Sequence, residues 1–276
     1  KTNNVSFVVE QFKNYISESE MVDINESRAS DKFELAIADS LADMGYDASR
    51  PKVDSTYSDV LVKYKGKKVW IEVKMNHTDN LGNTRASWDG KNWVSAPEKR
   101  GPLAGKMGPL KVYIAKMLKA HAKDFVSKIT AATGKSKINT NKGPQQKDKD
   151  TISHEEMKAF MATQKDQYIV TVPGQNLGAV VRDHYAKGGK TEAAYYLQAG
   201  DDFYRLSNED PLGVAKDVPM FSGKGDFRMR VGIRTGMYEI QPEVKVKSME
   251  NSPYSIKPGT RKKNPFTYQR VREANE

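Results

Sequence analysis

The sequence contains no cysteine. That excludes disulfides, thiolate zinc sites and cysteine nucleophiles, and it fits a reducing compartment. Histidine is scarce too: His77, His121, His154 and His184 are dispersed and show no metal-binding spacing such as H-E-x-x-H. Chemistry therefore falls to carboxylates, lysines and hydroxyls. No apolar run approaches the roughly 18 residues that cross a bilayer, and Lys1 to Glu10 lacks the apolar stretch of a secretory signal. A soluble, intracellular protein of cytoplasm or nucleoid, with no membrane partner, is the expectation. Internal repeats are absent, which argues against a solenoid or propeller. Gly188-Gly189 and Ser222-Gly223-Lys224-Gly225 lack the pattern of a phosphate-binding loop and read as turns, so no organic cofactor is expected.

What is present is charge and a mixed pattern of elements. Lys and Arg number 45 against 35 Asp and Glu, a formal net charge of +10, which favours a polyanionic partner. The 276 residues suffice to bury one substantial core. Ser30 to Gly45 reads as a helix: Phe33, Ile37, Leu41 and Met44 recur at helical spacing, Asp31 and Glu34 have capping-box form, and Gly45 stands where a C-terminal cap belongs. Further helices are expected over Pro109 to about Thr130, Glu155 to Ala162 and Leu177 to Lys187. Tyr168 to Val172 reads as a buried strand, and Tyr195 to Leu206 as a hairpin turning near Gly200-Asp201. The class is α/β, a central mixed β-sheet flanked by helices. One domain over 1–276 is expected, with a core at about 30–206, an insertion at 76–108, a mobile loop at 133–150 and a basic, β-rich C-terminal extension at 207–276. The tail from Lys257 to Glu276 reads as an arm rather than core.

One hairpin carries the chemistry. Ser58 to Tyr64 and Lys67 to Met75 alternate in β-branched residues and are joined through Lys65-Gly66. Val69, Ile71, Val73 and Met75 share one face, so Trp70, Glu72 and Lys74 share the other. Pairing Tyr64 with Lys67 places Val62 opposite Val69, Val60 opposite Ile71 and Asp59 opposite Glu72. Two carboxylates held that close repel unless one is protonated or a cation lies between them. A hard divalent ion suits such a pair, Mg²⁺ above all, with Mn²⁺ as its substitute. Lys74 is then placed to position an attacking water or to offset charge on a phosphate.

Ser58-Asp59, the turn, and Ile71-Glu72-Val73-Lys74 resemble the D-x(n)-E-x-K signature of the PD-(D/E)XK nuclease superfamily, the restriction endonuclease-like proteins. The resemblance implies a core of one helix, a mixed sheet of about four strands and a helix after the motif. It implies that Asp59, Glu72 and the Val73 carbonyl ligate the metal and that Lys74 is the catalytic lysine. Glu34 matches by position the extra carboxylate, catalytic and metal-binding, that many members add from the preceding helix. Serine stands before Asp59 where the family nominally has proline, and the long insertion after Lys74 is not part of the minimal core.

The expected activity is a Mg²⁺-dependent endodeoxyribonuclease, a phosphodiester hydrolase acting on double-stranded DNA. A structure-selective nuclease of resolvase or repair type, and a non-catalytic DNA-binding protein, stand as alternatives. Trp88 and Trp93 with Lys91 flank an expected exposed turn, where aromatics either stack on bases or stabilise their own hairpin. Arg228, Arg230, Arg234, Lys245 and Lys247 lie on one face of the last strands and are candidate phosphate contacts. Cutting both strands calls for two centres, hence an expected homodimer.

Overall fold

The computed structural model describes residues 18–52, 57–77, 80–139, 148–165, 167–234 and 237–266. The described residues open with helix α1 (Glu18–Asp43), then strands β1 (Asp47–Ser49), β2 (Val60–Tyr64) and β3 (Lys67–Lys74). The β2–β3 turn forms because Lys65 (φ 48°) and Gly66 (φ 73°) are both left-handed, the geometry of a two-residue turn that matches strand twist. The register is the expected one: Tyr64 pairs with Lys67, Val62 with Val69 and Val60 with Ile71.

After β3 the chain makes a long excursion before returning to the same sheet. It comprises β4 (Asn80–Asn83), the short hairpin β5 (Ser87–Trp88) and β6 (Trp93–Val94), α2 (Pro109–His121), α3 (Lys123–Thr133), α4 (His154–Thr163), β7 (Gln167–Asn176) and α5 (Gly178–Ala186). Strand β8 (Ala194–Ala199) then pairs parallel to β3, with Glu72 opposite Leu197, and β9 (Asp202–Arg205) follows antiparallel. The first sheet is thus mixed, in the order β1-β2-β3-β8-β9. The last strands, β10 (Gly223–Arg234) and β11 (Met237–Met249), form a long hairpin in a second, antiparallel sheet of order β4-β11-β10-β7. The α/β class with a mixed sheet and flanking helices is therefore observed.

The two faces of β3 go to two cores, as its alternation requires. Val69, Ile71 and Val73 pack with Val60, Val62, Tyr196 and Phe203 against Ile37 and Leu41 of α1. Leu61 and Trp70 face the other way, into a core shared by α2 to α5 and the inward residues Phe227, Met229, Val231, Val244 and Val246 of the second sheet.

Several sequence expectations need correction. Helix α1 begins at Glu18 rather than near Ser30, so Asp31 and Glu34 lie inside it and form no capping box. Gly45 (φ 91°) does end it, its amide bonding the Ala42 carbonyl at 2.8 Å. The helix expected from Pro109 breaks at Ala122 into α2 and α3. Strand β7 is not buried but forms the edge of the second sheet, with Ile169 43% exposed. Within the expected mobile loop, residues 140–147 lie outside the described residues, whereas Ile138 is buried and exchanges backbone bonds with Trp88. The tail is no arm over its described part: Phe266 is buried in the α1 core, its ring tilted against that of Tyr46 with centroids 5.2 Å apart, and Tyr254 and Ile256 just before the tail are buried there too. Residues 267–276 lie outside the described residues.

Candidate active site

The site lies where β3 leaves the hairpin and runs alongside β8. Glu72 is buried in mid-strand, 1% exposed, because α5 and the loop after it cover that face of the sheet. Its Oε1 meets Lys74 Nζ at 2.6 Å, the two side chains sharing a face at adjacent alternate positions. Its Oε2 is buried and finds no hydrogen-bond partner among the described residues, the ammonium of Lys190 standing 3.8 Å away. Asp59 sits just before β2, and its Oδ2 accepts the Val73 amide at 2.8 Å, which brings the second carboxylate to β3 beside Glu72.

The electrostatics follow from that crowding. Burial and then the Glu72 charge push the Asp59 carboxyl up to about 7, against the pull of Lys74. Burial would raise Glu72 as well, but Lys190 and Lys74 outweigh it and hold that carboxyl down to about 2. Burial alone would favour neutral Lys74, and Glu72 reverses this, raising it well above the ordinary lysine value. At neutral pH the site therefore combines a charged Glu72 and an Asp59 carboxyl near its titration midpoint with the ammonium groups of Lys74 and Lys190.

Glu34 on α1 lies near enough for its charge to contribute to raising the Asp59 pKa. Its own oxygens are engaged: Oε2 takes Arg50 Nε at 2.6 Å and Oε1 takes the Ser30 hydroxyl at 3.0 Å, while Arg50 also bonds Asp31. Among the described residues no group of three or more His, Asp or Glu side chains is arranged to hold a metal ion. What is present is a pair of carboxylates with one unsatisfied oxygen. That donor set fits Mg²⁺, which takes few protein ligands and keeps several waters.

Three residues near the site give no signal in the sequence. Tyr185 of α5 is buried and donates to the Leu81 carbonyl at 2.8 Å; burial and then Glu72 keep its hydroxyl well above the ordinary tyrosine range. His184 is pushed down to about 4 by burial and then Lys190, so it is neutral at physiological pH. Lys190 follows Gly188-Gly189 in the loop between α5 and β8. Only the parallel β3–β8 pairing brings that loop to Glu72, over a separation that no local spacing reveals. His77 does not line the carboxylates: its Nε2 lies 2.6 Å from Asp202 Oδ2 in β9.

The expected nucleic-acid contacts fare unevenly. Trp93 is buried, 7% exposed, and packs 5.6 Å from a half-buried Trp88, so the pair stabilises its own hairpin and Trp93 offers no open face. Lys91 is exposed at the turn, where Asp89 caps the Lys91 and Asn92 amides. On the second sheet, Arg228 and Lys245 flank Glu243 at 3.7 and 3.8 Å, Lys247 pairs with Asp226 at 2.6 Å, and exposed Arg230 bonds Gln241. That face is an ion-paired lattice rather than a bare basic stripe. The Arg234 side chain lies outside the described ones. Sequence reasoning passed over the loop at 98–106. It closes on itself through Glu98–Lys106 and Gly105–Glu98 backbone bonds, exposes Lys99, Arg100 and Lys106, and packs Gly101 against the backbone of Lys190 and Thr191. Comparison of the chain with family models, with curated proteins and with solved structures finds no match.

Proposed function

We propose that the chain is a Mg²⁺-dependent endonuclease that hydrolyses phosphodiester bonds in double-stranded DNA, with a restriction endonuclease-like PD-(D/E)XK centre at Asp59, Glu72 and Lys74. The observation that carries the reading is Glu72. A buried carboxylate is held down to about 2, one oxygen on Lys74 and the other facing Lys190 at 3.8 Å without a hydrogen bond among the described residues, beside a second carboxyl that burial and then this charge push up to about 7. Burying that arrangement is costly, and a structural role alone would be met more cheaply by apolar side chains.

In this reading Asp59 and Glu72 hold the ion, with the Val73 carbonyl as a further ligand. The ion supplies Lewis acidity to the scissile phosphate and to the attacking water. Asp59 would hold the ion as its carboxylate, its proton released to solvent, and the Val73 amide keeps that carboxylate aimed at β3. Lys74 has three donors, of which Glu72 takes one, leaving others for the water or a phosphate oxygen. Glu34 acts through Asp59, oriented by Arg50. The exposed cations of the 98–106 loop beside Lys190 support DNA as the substrate, because phosphate contacts supply most non-specific affinity. A homodimer would bring two such centres to the two strands.

The test is direct. Purified protein incubated with supercoiled plasmid and Mg²⁺ nicks or linearises it, and EDTA stops the reaction. Glu72→Ala and Lys74→Ala each lose cleavage by at least about 100-fold while still retarding DNA in a gel. Metal-independent retardation without strand breaks overturns the reading and leaves a DNA-binding protein.

A further inference from the structure

Lys190 is a cation beside Glu72 that the D-x(n)-E-x-K pattern does not contain. Its side chain is only 13% exposed, so it is not a solvated surface lysine that happens to point inward. Three neighbours fix it. The Nζ donates to the Tyr57 carbonyl at 3.1 Å, two residues before Asp59, and lies 5.5 Å from the centroid of the Tyr185 ring. It faces Glu72 Oε2 at 3.8 Å, the oxygen that lacks a hydrogen-bond partner among the described residues. Its backbone is held by the 98–106 loop, since a Cβ on Gly101 would stand 2.7 Å from the Lys190 carbonyl oxygen.

We propose that Lys190 is a second active-site cation, which neutralises Glu72 in the metal-free protein and turns to the scissile phosphate once a divalent ion occupies the carboxylate pair. The inference rests on the nuclease reading. The oxygen that Lys190 faces is the one left for a metal, and an ammonium within about 4 Å of a divalent ion is repelled. It cannot withdraw far, because the Tyr57 carbonyl and the Tyr185 ring hold it, so the anion available to it is the phosphate that the same ion binds. Lys74 and Lys190 would then approach that phosphate from β3 and from the loop before β8.

The two roles have opposite signs, and that separates them from a structural brace. Mn²⁺ binding without DNA, read from the free-ion signal in electron paramagnetic resonance, tightens about 30-fold in Lys190→Met, the size of the repulsion between an ammonium and a divalent ion at about 4 Å in a water-like medium. Lys190→Arg restores the wild-type affinity. At saturating Mg²⁺, Lys190→Met cleaves plasmid at least about 100-fold more slowly. Lys190→Gln keeps a donor for the Tyr57 carbonyl and gives the same pair of results should the methionine variant not fold. Weaker or unchanged Mn²⁺ binding in the neutral variants, or undiminished cleavage at saturating metal, overturns the proposal and leaves the nuclease reading standing. Absence of Mn²⁺ binding in the wild type overturns both.

Discussion

The Val73 amide donates to Asp59 Oδ2 at 2.8 Å. One hydrogen bond thus draws a carboxyl from the start of β2 onto the strand that carries Glu72, and the crowding that results is stored in the protonation of Asp59. Its folded value is pushed up to about 7 by burial and then by Glu72, whereas an unfolded Asp titrates near about 3.9. Between these values the folded chain binds the proton and the unfolded chain does not, so stability falls as pH rises from about 4 to about 7. Asp59→Asn removes the charge and keeps an acceptor for Val73. In metal-free buffer at pH 8 it should melt higher than the wild type by roughly 2–6 °C, for a gain on the order of 1–2 kcal/mol. The gap should close by about pH 5, where Asp59 is itself neutral. Added Mg²⁺ should raise the wild-type melting temperature and leave the variant unmoved. Thermal melts over this pH range check both signs.

Glu34 is the expected third carboxylate, and both of its oxygens are already engaged. Arg50 and Ser30 occupy its two oxygens, so it serves Asp59 through charge and through the position of the segment that Arg50 anchors after β1. Glu34→Gln should cost about 1–3 kcal/mol, the range for losing a partly buried charge-assisted bond, and should slow cleavage by no more than about tenfold. Glu72→Gln should instead lose at least about 1000-fold. A comparable loss of Mn²⁺ affinity in both variants would show that Glu34 releases Arg50 and ligates the ion directly.

The hairpin was legible because period-two patterning, a two-residue turn and matched apolar pairs all fix the same register, and Asp59, Glu72 and Lys74 lie within a few residues of that turn. Helix α1 was legible through Ile37 and Leu41, though not where it begins, since the capping-box form of Asp31 and Glu34 is matched by a salt-bridge use with Arg50. Lys190 was hidden because its meeting with Glu72 depends on the parallel return of β8. The basic face of the last strands misled for a related reason. Glu243 and Asp226 lie between the cations in the folded hairpin, an arrangement that composition does not display.

The C-terminal segment was misread because its apolar residues follow no period and its lysines dominate the composition. Phe266 is nonetheless 6% exposed, 5.2 Å from Tyr46 and 6.0 Å from Phe203, with its amide on the Asn264 side chain. It closes the core over α1 that backs the β2–β3 hairpin. Phe266→Ala should therefore destabilise by about 3 kcal/mol, the low end for a buried aromatic, measured by urea unfolding. A tail that is only an arm would tolerate the change within about 0.5 kcal/mol.

Gly101 and Gly105 offer a matched pair for the loop that backs Lys190. Both are left-handed, at φ 80° and 77°, so alanine pays a similar backbone strain at either, of order 1 kcal/mol. Their surroundings differ. A Cβ at Gly105 meets nothing within 4 Å, whereas one at Gly101 would stand 2.7 Å from the Lys190 carbonyl and 2.9 Å from that of Thr191. Those contacts are with backbone and cannot be relieved by a rotamer change, so the Lys190 segment must move. Gly105→Ala should lower stability slightly and leave cleavage at the wild-type rate. Gly101→Ala should cost about 1–3 kcal/mol more, as overpacking does, and should also slow cleavage at saturating Mg²⁺, since about 1 Å of misplacement at a reacting centre can cost on the order of 100-fold. Equal cleavage rates for the two variants would show that the 98–106 loop does not set the position of Lys190.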